Sequence, residues 1–236
     1  MSNSQLVTHL SNPWQMVLPL AAVFTYLTLL IVMAEVLSRI LTDDPELTRK
    51  VVHIGSGNVI LIAWWLKISQ SVIISAAIIA AAIAIMSYIL PILPSIESVG
   101  RKSFGTLFYA VSMGLLTAFF WQDQPQYTVI GILTMAWGDG MAAIIGQRFG
   151  QHKYQIGQIS KSWEGSLAMT LAALMVTVSV LWSVEGNNWQ IWIIGIVVAV
   201  FATIFEAFSK LGIDNLTVPI ISGFLGFFGV QALLLS

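Results

Sequence analysis

The chain has no cysteine, which excludes disulfides and thiolate metal sites. Charge is scarce as well. Asp, Glu, Lys and Arg make up 9% of the 236 residues, against about 25% in soluble domains. Hydrophobic residues make up 57%, so the composition is that of a membrane protein. The formal net charge is −1, which implies no acidic polymer as partner. Without a basic patch, nucleic acid is not expected to bind. Residues 1–13 hold no Lys or Arg and so lack the charged start of a signal peptide; the first apolar run is expected to be retained. There is no GxxxxGK[ST]: GQISKS at 157–162 lacks the Gly before its Lys, so it is no Walker loop. HExxH and GxSxG are missing too, which removes the zinc-protease and nucleophile-elbow readings. No internal repeat, low-complexity tract or soluble domain is visible.

What remains is apolar and long. About 20 apolar residues cross a bilayer as a helix. Candidate spans are 15–38, 50–66, 71–90, 103–121, 127–146, 164–183, 189–209 and 216–235. The second is short, and its first turns are basic. Connections are short. The expected fold is an all-α, polytopic membrane helical bundle of about eight transmembrane helices, with residues 1–236 as one integral-membrane domain.

The cations then orient it. Arg39, Arg49, Lys50, Arg101, Lys102, Arg148, Lys153, Lys161 and Lys210 fall on one side of these spans, and only Lys67 on the other. The positive-inside rule makes the crowded side cytoplasmic and puts both termini outside. Most acids follow the cations, although that rule gives them no reason to. A polar site at the cytoplasmic face would.

Asp139 lies inside the fifth span, in WGDGMAAIIG at 137–146. If that span ends near 146, Asp139 sits about 10 Å below its end at 1.5 Å per residue. A carboxylate there costs roughly 2.5–3.5 kcal/mol on insertion scales. Its neighbours three, four and seven residues on are Ala142, Ala143 and Gly146. Gly138, Ala142 and Gly146 form a small-xxx-small ridge that lets another helix approach. Asp139 is therefore expected to face protein or a water-filled cleft. A structural Asp paired with a buried Arg is the plain alternative to a metal or phosphate site.

Four further stretches carry polar chemistry. The loop 147–165 holds Arg148, His152, Lys153, Lys161 and Glu164. Lys161 and Glu164, three apart, would share a face on a helix. Such loops often serve only topology, but this one follows Asp139 directly. Mg²⁺ binds one or two carboxylates together with substrate phosphates, so acids beside bases at a membrane face suit a Mg-nucleotide. In LTDDPELTRKVVHIGSGN at 41–58, Asp44 before Pro45 reads as an N-cap before a first helical residue. Arg49, Lys50 and His53 then share one side. They suit phosphate binding and, for His53, proton acceptance near neutrality; interfacial anchors and a hydrogen-bonded His are the alternative. In EAFSKLGIDNLTVPIISG at 206–223, Asp214-Asn215 reads as the cap of the last span, with Pro219 in its first turn. Capping leaves Glu206 unexplained. Arg101 and Lys102 stand at the mouth of the fourth span.

These motifs resemble the polyprenol kinase family of membrane CTP-dependent lipid kinases. The residues that carry the resemblance are RKVVH at 49–53, RKSFGTLFY at 101–109, WGDGMAAIIGQRFG at 137–150, KSWEGSLA at 161–168 and IDNLTVP at 213–219. Size and spans are most similar to the phytol kinases of photosynthetic organisms. The resemblance implies CTP as phosphoryl donor, Mg²⁺ and an isoprenoid alcohol as acceptor, and for a phytol kinase salvage of phytol toward tocopherol. On that reading Asp139, Lys161, Glu164 and His53 carry the reaction. Asp139, Glu164, Asp214 and Glu206 are the metal candidates. Arg49, Lys50, Arg101, Lys102, Arg148, Lys153 and Asn215 bind nucleotide or phosphate. The implied location is a plasma or thylakoid-type membrane with the site on the cytoplasmic face. CDP-diacylglycerol synthases share a comparable GD…G…K…EG core, but ISKSW precedes the EG here and the late motif is Asp214-Asn215, both departures from that pattern. A cytidylyltransferase is thus one alternative. A transporter with Asp139 as ion site is the other, and the missing repeat and one-sided charge count against it.

Overall fold

The computed structural model describes residues 14–40, 45–89, 104–157 and 159–234. The chain divides into two compact units, Met1–Ile68 and Ser69–Ser236. The first contains α1 (Trp14–Ile40), α2 (Pro45–Gly57) and α3 (Val59–Trp65). The second contains α4 (Gln70–Ile89), α5 (Gly105–Phe120), α6 (Pro125–Phe149), β1 (Lys153–Ile156), β2 (Ile159–Ser162), α7 (Trp163–Glu185), α8 (Trp189–Ala207) and α9 (Asp214–Leu233).

Among the described residues, α1, α4, α6, α7, α8 and α9 are long and apolar enough to cross a membrane, while α5 is a shorter apolar helix. The all-α membrane architecture is as expected, and each expected span has helix in it. The second differs in kind. It is two helices, α2 and α3, that meet at Asn58. Ser56, Gly57 and Asn58 are poor helix formers, and an apolar count over 50–66 does not register them. Helix α2 does start at Pro45, as the sequence suggested, whereas Asp44 lies outside the described residues. Within this unit α1 packs on α2. Tyr26 Oη donates to the Gly55 carbonyl at 2.8 Å, and a Cβ on Gly55 would stand 2.9 Å from Leu30 Cδ2. Helix α3 stops because Lys67 turns left-handed, φ 52. Lys67 N–H then donates to Trp64 O at 3.1 Å and Ile68 N–H to Ala63 O at 2.9 Å, a Schellman closure of the last carbonyls.

In the second unit α6 is the most enclosed span, with 61% of its most apolar window buried. It packs against α7, α9 and α5. Small residues set these distances. A Cβ on Gly131 would stand 2.5 Å from Pro219 O of α9 and 2.6 Å from Leu116 Cδ1 of α5. Gly138 lies against Met169 of α7. Met135, Ala142, Met169, Ala173, Ala199, Ala202 and Val218 form a core joining α6 to α9. Leu171, Met175, Trp182, Ile196 and Val200 stay exposed; on spans of this length that surface belongs to lipid. Pro125 opens α6, where the missing N–H costs no helix bond. Gly186, φ 78, ends α7.

The stretch 147–165 is no simple loop. Helix α6 continues to Phe149, three residues past the expected end, and an antiparallel hairpin follows. Lys153 pairs with Ser162, Tyr154 with Lys161, Gln155 with Ser160, and Ile156 with Ile159. KYQI alternates polar and apolar with period two, and Gly157, φ +61, supplies the left-handed residue that a two-residue hairpin connection needs.

Candidate active site

A cleft of about 550 Å³ opens where α6, the hairpin, α7 and α8 converge. Helix α6 lines it with Asp139, Ala142, Ala143, Gly146 and Gln147, and Gly150 follows just past its end. That is the stripe three, four and seven residues on from Asp139 that the sequence placed beside it. The small side chains have two effects. They leave space next to the carboxylate, and they let α7 close in. A Cβ on Gly165 would stand 2.8 Å from Ala142 O and 3.2 Å from Gly146 Cα, so the backbones of α6 and α7 touch there. The ridge expected for helix approach is this contact. With α6 ending at Phe149, Asp139 lies about 15 Å along the helix from that end rather than about 10 Å.

The hairpin brings Lys153, Ser160, Lys161 and Ser162 to the cleft, α7 brings Gly165 and Ser166, and α8 brings Glu206. Ser162 caps α7, its side chain accepting from Gly165 N–H at 3.1 Å. The positive end of that helix's dipole therefore lies at the cleft, where an anion is favoured.

Lys161 does not share a helix face with Glu164, as the spacing suggested, because it lies on β2. Its ammonium pairs instead with the Glu206 carboxylate, on the last turn of α8, and donates to the Glu206 backbone carbonyl at 3.0 Å. The Glu206 side chain is 4% exposed and that of Lys161 23%. Removing one partner of such a pair leaves a buried charge and costs about 3–5 kcal/mol. Asp139 and Asp214 both act electrostatically on Glu206. Its second oxygen, Oε2, is buried with no hydrogen-bond partner among the described residues.

Glu164 has a different neighbour. Its carboxylate accepts from the His152 backbone N–H at 3.1 Å and meets His152 Nδ1 at 2.7 Å. Trp163 N–H donates to His152 O at 3.0 Å. Tyr154 Oη meets Ser166 Oγ at 2.6 Å, and its ring lies 5.1 Å from that of Trp163. These contacts fasten the hairpin to the first turn of α7 and so hold Lys153 and Lys161 at the cleft. The sequence reading missed this clasp; the period-two alternation beside Gly157 was the available signal.

The remaining expected residues are placed as follows. Arg148 is exposed in the last turn of α6. Asp214 is the first residue of α9, not its cap. Its N–H donates to Ser209 Oγ at 3.0 Å, so the preceding turn takes over the capping, and its carboxylate accepts from Asn215 N–H at 3.1 Å. Asn215 Nδ2 donates to Gly212 O at 3.2 Å. Pro219 lies beyond the first turn, inside α9. Arg49, Lys50 and His53 are on α2 of the first unit. Arg49 Nη2 meets Glu46 Oε1 at 2.5 Å, Lys50 is buried and His53 half-buried. Arg101 and Lys102 lie outside the described residues. Among the described residues no three His, Asp or Glu side chains gather closely enough to hold a metal by themselves. Mg²⁺ fits a smaller protein share, one or two carboxylates completed by phosphates and water. Asp139 and Glu206, both on the cleft wall, meet that need, Glu206 with an oxygen that has no hydrogen-bond partner among the described residues.

The chain is 51% identical over 206 residues to phytol kinase of Synechocystis sp. (strain ATCC 27184 / PCC 6803 / Kazusa), covering 87% of this chain and 88% of that one. It is 32% identical to the probable chloroplastic phytol kinase 2 of Oryza sativa subsp. japonica, over 78% of this chain and 66% of that one. It is 27% identical to the chloroplastic farnesol kinase of Arabidopsis thaliana, over 78% and 66%. No family model matches the chain, and no solved structure matches it. A multi-pass membrane chain with acids and lysines gathered on one cleft, alike over most of its length to these alcohol kinases, belongs to the phytol kinase family.

Proposed function

We propose that the chain transfers the γ-phosphoryl group of CTP to phytol, giving phytyl phosphate and CDP, in phytol salvage toward tocopherol. The observation that carries this reading is the cleft that sets Asp139 and Glu206 beside Lys161 and Lys153 in a chain half identical to a phytol kinase. Phosphoryl transfer depends mostly on positioning and charge stabilisation. Lys161 and Lys153 hold phosphate oxygens, and the first turn of α7 favours their charge. Asp139 and Glu206 hold Mg²⁺, with Asp214 close enough to Glu206 to add negative field. Mg²⁺, when bound, would neutralise phosphate charge. Glu164 belongs to the clasp that carries the lysines and remains a proposed metal ligand on sequence grounds. Arg148, Asn215, Arg49, Lys50, Arg101 and Lys102 remain proposed phosphate ligands on sequence grounds, and His53 the proposed acceptor of the alcohol proton.

The alcohol oxygen attacks the γ-phosphorus, the bond to the β-phosphate oxygen breaks, and the hydroxyl proton passes to the base. An isoprenoid alcohol keeps its hydroxyl near headgroup level and its tail in hydrocarbon, which matches a cleft cut into the end of a span. The site is assigned to the cytoplasmic face of a plasma or thylakoid-type membrane, with residues 1–236 acting as one kinase domain. Membranes carrying Asp139→Asn or Lys161→Ala are expected to lose CTP-dependent phytol phosphorylation by about a hundredfold or more, the scale for a group that stabilises transition-state charge. The γ-phosphate label of CTP ends in lipid for a kinase and in pyrophosphate for a cytidylyltransferase. Wild-type rates in both variants at normal protein levels, or label in pyrophosphate, refute the reading.

A further inference from the structure

Lys161 is already engaged. Its ammonium bonds both the carboxylate and the backbone carbonyl of Glu206, and an ammonium has three donors in all. Around it the inner cleft is acidic, since Asp139 and Asp214 act on the same buried carboxylate. An inner wall with two carboxylates, Asp139 and Glu206, against the one ammonium of Lys161 repels a nucleotide's phosphates. Yet Glu206 lines the cleft with Lys161, and its Oε2 is buried with no hydrogen-bond partner among the described residues. A buried carboxylate oxygen is normally satisfied. A divalent cation at Glu206 resolves both facts, because it satisfies Oε2 and displaces the ammonium toward the incoming phosphate.

We propose that Lys161 is the resident counter-ion of the cleft: it neutralises Glu206 until a divalent cation arrives with a nucleotide's phosphates, then passes from the carboxylate to a phosphate. This rests on the function proposed above and adds an order to it. Lys161 and the cation compete for Glu206, and Glu206 and the phosphates compete for Lys161. The cation and the nucleotide therefore bind with positive coupling, and linkage requires each to raise the affinity for the other by the same factor. Lys153 also lines the cleft, at its exposed rim, and takes no part in the exchange.

The test is a Mn²⁺ titration of the purified full chain without nucleotide, followed by electron paramagnetic resonance. Lys161→Met frees Glu206, so Mn²⁺ is expected to bind about fivefold tighter or more, the lower end of typical coupling. Lys153→Met removes the same charge from the same cleft and should leave Mn²⁺ affinity within about twofold of wild type. Added CTP should tighten Mn²⁺ binding in the wild type and much less in Lys161→Met. Equal Mn²⁺ affinities for the two lysine variants overturn the exchange. If Lys161→Met does not fold, Glu206→Gln decides. With metals chelated it should bind CTP more tightly than Asp139→Asn, which removes an equal charge but leaves Lys161 its partner; equal CTP affinities overturn the proposal. If Asp139→Asn and Glu206→Gln both keep wild-type Mn²⁺ binding, the metal assignment of the proposed function falls instead.

Discussion

Replacing Gly165 by alanine puts one methyl group where α6 and α7 touch. The new Cβ would stand 2.8 Å from Ala142 O, 3.1 Å from Ser162 Oγ and 3.2 Å from Gly146 Cα. Two of those three atoms are backbone and cannot rotate away. Non-bonded heavy atoms rest near 3.5 Å, so the helices must part by roughly 0.7 Å at that point. Overpacking of this kind costs about 1–3 kcal/mol, while alanine returns up to about 1 kcal/mol in helix propensity. Gly114→Ala on α5 is the matched control. It gains the same propensity, and its Cβ meets Ala77 Cβ at an ordinary 3.5 Å. The difference between the two variants therefore isolates the packing term of about 1–3 kcal/mol, or about 2–12 °C at 2–4 °C per kcal/mol. Thermal unfolding in detergent measures it, with Gly165→Ala the lower. Activity should fall with it, because the parted helices carry Asp139 on one side and the first turn of α7 on the other. A Gly165→Ala protein as stable and active as Gly114→Ala would refute the close contact and the account of why glycine stands there.

Other outcomes follow from single contacts. Tyr154→Phe keeps the ring against Trp163 but loses the bond to Ser166, about 0.5–1.5 kcal/mol; the looser hairpin should raise the KM for the nucleotide more than that for the alcohol, and initial rates with each substrate varied in turn check this. Tyr26→Phe removes the bond to Gly55 O, about 1 kcal/mol, and should speed proteolysis within the 1–68 unit, read by timed digestion.

Asp139 and its surroundings were legible because one helix carries them. A carboxylate in an apolar run is conspicuous, and the small residues at three, four and seven positions on follow from helical geometry alone. The Glu206–Lys161 pair was not legible. Its members are 45 residues apart, on a strand and on a helix end, and only tertiary folding joins them. Spacing instead suggested Lys161 with Glu164, a pairing valid only on a helix, and the hairpin removed that condition. The hairpin escaped notice because four-residue strands vanish in windows sized for membrane spans. The break at Asn58 escaped for a related reason: hydropathy averages over residues, whereas a helix can be interrupted by one or two. The cap expected at Asp214 moved because Ser209, five residues upstream, already serves the Asp214 N–H, a bond that local rules for a helix start do not anticipate.

The bare backbone contact between α6 and α7 also says something about motion. Between Gly165 and the Ala142–Gly146 turn the only neighbouring side chain is that of Ser162, which is held by its cap bond to Gly165 N–H. The two helices should behave as one rigid block on the timescale of turnover. Movement beside the cleft then falls to the hairpin, whose outward strand residues are exposed and whose fastening consists of a few replaceable bonds. Local opening draws on such weakly anchored segments. The rate at which the clasp lifts, rather than any flexing of the spans, becomes the natural candidate for what limits throughput.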